Sequence, residues 1–427
     1  MKLLLALLCI LELLFATFLV NTLGPYLSPI VFAGSGFAIA WLYLRIASGT
    51  MSEAAHTPTT HKIVPVIQWL LFLLLSYLVF SSLKHYWWYN LTYGDTKSSS
   101  DIIPQIKTLV QRWVNGSQPY YTIQFMGYDL FPTYLPLQWM PYILCEWAQK
   151  DYRWIPTFAL WLASFWYFLR CSRQYKTLSW QMLIPIWPFI VWGVYILHDW
   201  KLFVFAVEGL ILAYYLLVAE ALHKKNTLVL ALGVSLCLLS RYSIIFWVPL
   251  CLVLLYVSGH KRAAFSIALT ALLTAIVIYW LPFLRRDPSI FIQGYAYHTN
   301  AALAEWTRDM QVYDGIVYLR NGLGFTSYAL AFIPGSLAHK LAVYKNIHLL
   351  VSILTAVGLG WYFIRHRARY DVYIFLLFSL KVYLVVFYVF IQIPYKYLIF
   401  LPVMLSMSLL GSAVKGGGVN KKQTLGI

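Results

Sequence analysis

Acidic side chains are scarce in this chain: 15 Asp and Glu stand among 427 residues, against 32 Lys and Arg. Their placement is therefore informative. Asp95, Asp101, Asp129 and Asp151 fall in one stretch, and Asp287, Glu305, Asp309 and Asp314 in another. Asp101 is the best placed to act. It follows a polar run, Thr96 to Ser100. It heads the set Ile102, Ile103, Ile106, Leu109, Val110, Trp113 and Val114, whose spacing makes one apolar face of a helix. A carboxylate there has two readings. It can cap the helix by accepting backbone N–H bonds, or it can serve as a general base at the mouth of a cavity. The two are compatible, although capping bonds would weaken the base. Asp95 is the reserve candidate.

The elements that must position these groups are apolar helices. Hydrophobic residues make up 61% of the chain and charged residues only 11%, where a soluble domain carries about 25% charged residues. A spanning helix needs roughly 20 apolar residues. Such runs lie near 2–20, 27–45, 64–83, 154–170, 178–197, 202–221, 227–240, 243–258, 263–283, 346–364, 371–391 and 395–412, which predicts an all-α, polytopic transmembrane bundle of about twelve spans. The first run resembles a signal peptide but carries Glu12 and no clear cleavage site, and reads as a retained helix. The net charge of +17 comes largely from short Lys/Arg clusters between these runs, among them Arg170, Arg173 and Lys176, Lys224 and Lys225, Lys261 and Arg262, and Arg365, Arg367 and Arg369. That is a topology signal, not a nucleic-acid footprint. With both termini cytoplasmic, every cluster from Arg170 onward falls inside, provided 130–148 does not cross. That run, with its three prolines, is expected to lie at the outer interface, as is 326–342. The five cysteines read as buried apolar residues, without metal spacing.

The acids then sit in two outer loops, 84–153 and 284–345. The segments read as an added N-terminal hairpin (1–62), a core (63–283) that contains the first loop, the second loop (284–345), and last helices with a basic tail (346–427). Three cations stand in outer turns, against the positive-inside tendency: Lys201, Arg241 and Lys396. Each is either a snorkelling side chain or an anion ligand. Glu208 and Lys381 fall inside spans, where a charge faces the bundle interior by default. They could pair with each other, or Lys381 could meet an anionic substrate.

Asp101, the turn Gly116-Ser117-Gln118-Pro119-Tyr120, and Tyr134-Leu135-Pro136-Leu137 with Pro141 resemble the first outer loop of the GT-C superfamily of membrane glycosyltransferases. The nearest flavour is the bacterial polyprenyl-phosphate-mannose-dependent branch. Arg241 stands where that family often has a basic residue, while His198-Asp199-Trp200-Lys201 replaces a G-Q that usually opens a span. The resemblance implies a GT-C bundle with interfacial helices in its outer loops, in a bacterial inner membrane. It implies transfer of a hexose, mannose first among candidates, from a polyprenyl-phosphate-sugar donor to a glycan or lipid acceptor by inverting single displacement. Asp101 would be the base, and Arg241, Lys201 and Lys396 the donor-phosphate ligands. Asp95, Tyr120, Tyr134, His198 and His298 would be further substrate contacts. Neither cofactor nor metal is expected: there is no G-x-G-x-x-G after a strand and no H-E-x-x-H. The competing reading is a transporter or flippase of lipid-linked sugars, which should show an internal repeat. None is visible in the sequence.

Overall fold

In lipid a backbone can satisfy its own polar groups as a helix, and the long apolar runs of this chain fold that way. The computed structural model describes residues 1–19, 23–49, 63–87, 100–124, 128–172, 178–313, 316–319 and 323–414. The chain begins with α1 (Lys2–Leu14, continued by a π-helical turn, Phe15–Leu19), α2 (Gly24–Gly49) and α3 (Ile63–Tyr86). The amphipathic α4 (Ile102–Val114) follows, then α5 (Pro136–Trp139) and α6 (Ile143–Trp147), joined by a 3-10 turn. The middle of the bundle is α7 (Trp154–Cys171), α8 (Leu178–Asp199), α9 (Lys201–Phe205), α10 (Glu208–Lys224), α11 (Thr227–Leu238), α12 (Trp247–Val257) and α13 (Lys261–Ala275), the last carried to Leu284 by a π-helical stretch. After it come α14 (Ser289–Asp309), a hairpin of β1 (Met310–Tyr313) and β2 (Ile316–Leu319), and α15 (Thr326–Phe332). The chain closes with α16 (Leu337–Arg365), α17 (Val372–Val389) and α18 (Phe400–Val414).

All twelve apolar runs are helical, but among the described residues only seven helices are long and apolar enough to cross a membrane. These are α2, α3, α8, α13 with its extension, α16, α17 and α18 with the turn before it. The other five runs, including α11 and α12, fall short in length or apolarity. The short antiparallel hairpin, in register Met310↔Leu319, departs from the all-α expectation. Leu70, Leu73, Leu74 and Tyr77 of α3 and Phe265 and Leu272 of α13 are exposed, as lipid-facing residues of a membrane protein should be.

The bundle has two chemically distinct ends. At one, Arg170 pairs with Glu220 at 2.8 Å and reaches Ser412, Lys225 pairs with Asp371 at 2.7 Å, and His260 packs on Tyr373. Arg170 and the basic clusters after α10, α12 and α16 therefore share this end. At the other, Tyr328 donates to the Tyr26 carbonyl, Arg153 to that of Trp87, and Trp306 to that of Gln392. Residues 130–148 form short helices with contacts at this second end: Leu137 N–H bonds to the Leu239 carbonyl, and Gln111 of α4 reaches Glu146. The stretch 326–342 does not behave as one interfacial piece. Only α15 is separate, and residues from Leu337 onward belong to the long α16.

Close helix approach depends on small residues. At Gly209 a Cβ would lie 2.5 Å from the Pro156 carbonyl, so α10 can touch α7 only with glycine there. Neither alternative for Lys381, a pair with Glu208 or an anionic substrate, is what the structure shows. Lys381 pairs with Glu12 at 2.6 Å, both fully buried, and Ser406 donates to the same carboxylate. This ties α1, α17 and α18 together. Glu208 is paired elsewhere.

Candidate functional site

α4 forms as its apolar stripe dictates, burying Ile103, Ile106, Leu109 and Val110. Pro104 fits its first turn, and Gly116, at φ +75°, ends it. Asp101 sits at the N-cap position but does not cap with its side chain. Ser100 Oγ accepts the Ile102 N–H instead, at 3.3 Å. The Asp101 carboxylate is half-buried and accepts the Tyr128 hydroxyl at Oδ2, at 2.8 Å. The capping alternative is thereby removed, and the carboxylate is left for other work.

The segment that carries Tyr128 is tied down from both sides. Arg112 of α4 donates to the carbonyls of Pro119, Tyr121 and Thr122 at 2.9, 2.6 and 3.0 Å. Ile123 pairs with Leu130 in an isolated bridge. Tyr120, a candidate substrate contact, is instead framework: it is buried, donates to the Tyr134 carbonyl at 2.9 Å, and accepts from Trp139 Nε1 at 3.0 Å.

Two helix breaks build the floor of the site. The chain unwinds at Ala206, between α9 and α10, which puts Glu208 in the first turn of α10. It turns again between α11 and α12, where Arg241 has extended backbone. The two meet as a bidentate ion pair, with Arg241 Nη1 and Nη2 at 2.9 and 2.6 Å from the two Glu208 oxygens. The pair is asymmetric: the Glu208 side chain is 2% exposed and that of Arg241 19%. Ser243 lies beside it, within hydrogen-bond reach of both Tyr215 and Tyr388.

Asp101 and this floor border one region. Tyr134 lies in electrostatic range of Asp101, Arg241 and Glu208. Burial pushes its hydroxyl well above the usual range and the Asp101 carboxylate adds to the rise, while Arg241 opposes it. Tyr397 is within range of Glu208, Arg241, Glu305 and Asp101 together. Tyr297 of α14 is raised by burial first, then by Asp101 and Glu305. Glu305 accepts the Tyr395 hydroxyl, and Tyr395 stacks on Tyr397 at 5.0 Å. Asp101, Arg241, Tyr134, Tyr297, Tyr395 and Tyr397 all keep partial exposure, and their mutual electrostatic range gathers them in one region at this end of the bundle.

The remaining candidates fare unevenly. Lys396 stands between Tyr395 and Tyr397 in sequence and opens a 3-10 turn, and no described contact joins its side chain to Arg241. Lys201 and His198 lie at the same end but elsewhere: His198 packs on Phe18 at 4.5 Å, and Lys201 is an exposed residue opening α9. No described contact joins either to the site. His298 is exposed on α14, near Lys345. Asp95 lies outside the described residues. Trp306 is fully buried and packs against Tyr344. Among the described residues no three His, Cys, Asp or Glu side chains gather as metal ligands would. Sequence reasoning missed Tyr128 and the Glu208–Arg241 pairing. A charge inside a span was the available signal for Glu208, and Tyr128 offered none.

The chain matches no family model, no curated protein and no solved structure.

Proposed function

We propose that this protein is a membrane glycosyltransferase that moves a hexose, with mannose the first to test, from a polyprenyl-phosphate-sugar donor to a glycan or lipid acceptor. The observation that carries this reading is the uncapped Asp101 carboxylate in one partly exposed region with Arg241, both within electrostatic range of Tyr134 and Tyr397. A base and a cation in one region are what a single displacement at a sugar phosphate needs. The acceptor oxygen attacks the anomeric carbon and its proton passes to Asp101. The bond from that carbon to the phosphate oxygen breaks, and the polyprenyl phosphate leaves with the electron pair, inverting the centre.

The membrane supports a lipid-borne donor. α11 has 12 residues and α12 has 11, so each rises only ~16–18 Å, against a hydrocarbon core of ~30 Å. With both helices read as crossings that start at the basic end, Arg241, at the turn between them, lies below the opposite membrane surface. A phosphate tethered to an acyl-like chain reaches that depth more readily than a free nucleotide sugar. With the five shorter helices counted as crossings, the bundle is read as GT-C-like with about twelve passes. The basic end is then cytoplasmic and the site faces outward, in a bacterial inner membrane.

The test is sugar transfer by purified protein in lipid, with a panel of polyprenyl-phosphate sugars, for wild type and Asp101→Asn. Transfer should fall by about 10²–10⁴-fold in the variant while thermal unfolding is unchanged. Full turnover without the carboxylate would remove Asp101 as the base. A second reading, a transporter of lipid-linked sugars, draws on the broken helices α9–α10 and α11–α12. It predicts donor translocation in liposomes with no glycosidic bond formed.

A further inference from the structure

The Glu208–Arg241 pair raises a problem for any anion that uses Arg241. Both terminal nitrogens of the guanidinium are taken by one carboxylate, at 2.9 and 2.6 Å. Three N–H groups remain, but a phosphate arriving there meets a charge that Glu208 already neutralises, so the two anions compete for one cation. Removing either partner from a buried pair leaves an uncompensated charge, so Arg241 needs a counter-ion at all times. The burial is graded: an arriving anion meets the 19%-exposed guanidinium before the 2%-exposed carboxylate. Glu208 also has a second source of stabilisation. It lies in the first turn of α10, where the helix dipole favours negative charge, directly after extended backbone at Ala206. Ser243 adds a hydroxyl next to the pair, with Tyr215 and Tyr388 converging on it.

We propose that Glu208 is an exchangeable counter-anion: it neutralises Arg241 until a lipid-borne phosphate ester arrives, then yields guanidinium N–H groups to that phosphate while the α10 N-terminus holds the released carboxylate. This rests on the reading of Arg241 as the donor-phosphate ligand and adds a regulator to that site. Glu208 thus competes with the substrate. The consequence is contrary to what a supporting residue would give: loss of the Glu208 charge should tighten phosphate binding. The exchange also keeps the site floor neutral between turnovers, so that no uncompensated cation remains at depth in the membrane.

The experiment measures binding of a polyprenyl phosphate and of the matching neutral polyprenol to the full-length protein in nanodiscs. The variants are Glu208→Gln, Glu208→Asp, Arg241→Gln and the double Glu208→Gln/Arg241→Gln. Glu208→Gln should bind the phosphate on the order of tenfold more tightly and the polyprenol unchanged. The double variant should lose the preference for phosphate over polyprenol. Glu208→Asp, one methylene shorter, should shift in the same direction by less, and it serves if Glu208→Gln does not fold. Equal or weaker phosphate binding by the folded Glu208 variants would overturn the exchange and leave Glu208 as a brace for Arg241. A gain seen with inorganic phosphate but not with the lipid would overturn the lipid assignment. Sugar transfer is assayed separately. Transfer without the binding gain sinks the exchange alone. A binding gain without transfer sinks the glycosyltransferase reading and leaves an anionic-lipid site.

Discussion

At Asp101 the neighbours decide what a carboxylate can do. Ser100 takes over the capping bond, and Tyr128 fixes one oxygen of Asp101 at 2.8 Å. If Asp101 is the base, Tyr128 is a positioning residue that orients it. Tyr128→Phe should then lower kcat about tenfold, the scale of one hydrogen bond to a charged group, with KM for the donor little changed. A change in KM alone would place Tyr128 on the substrate instead. Asp101 was visible in the sequence because an acid ahead of a one-faced helix is rare in so apolar a chain. Tyr128 was not, because a tyrosine among 33 carries no pattern of its own. Arg241 was legible as a cation in a turn, but its ion pair was not. Glu208 is 33 residues away in sequence, and the sequence offered Lys381 as an equally good partner. Helix packing decided between them, placing Lys381 against Glu12.

Among the elements, α4 and the segment after it form the roof of the site, and Arg112 is the strut between them. Its guanidinium serves three carbonyls and stacks on the Tyr121 ring at 3.5 Å. Arg112→Ala should free the backbone from Pro119 to Thr122. Limited proteolysis should then cut within 117–124 faster than in wild type, and the bundle should melt at an unchanged temperature. A lowered melting temperature with no new cleavage would mean that Arg112 supports the bundle and not the roof. The extent of α4 was legible: the apolar face from Ile102 to Val114 is the helix found, with Pro104 in its first turn and Gly116 just past its end. The short helices within 130–148 lie at one end of the bundle, the arrangement that charge parity asked for and that local apolarity hides. The split within 326–342 was not read, although Pro334-Gly335 marks a turn there and Ser336 caps α16. Nor was the hairpin at β1 and β2, whose strands are only four residues each.

For the molecule as a whole, burial and charge sides make two separate claims. The Glu12–Lys381 pair, at 0% exposure on both sides, joins the first helix to the last two. Lys381→Met should destabilise the protein by about 3–5 kcal/mol, because Glu12 would remain buried and unpaired. Adding Glu12→Gln should recover most of that loss, as thermal unfolding in lipid would report. The second claim is orientation. The ends of α7, α10 and α16 share one end of the bundle with Lys225 and Arg170, while α4 and Asp101 lie at the other. If the positive-inside tendency holds, Asn115 faces out and Ser172 faces the cytoplasm. All five native cysteines are buried, so an impermeant thiol reagent on intact cells should meet little background. Asn115→Cys should label directly, and Ser172→Cys only after the cells are permeabilised. The reverse pattern would turn the site to the cytoplasm, where nucleotide-linked sugars are made, and would remove the main reason to favour a lipid-phosphate donor. Labelling of both from outside would mean that α7 does not cross, and the parity that kept 130–148 at one face would fail with it.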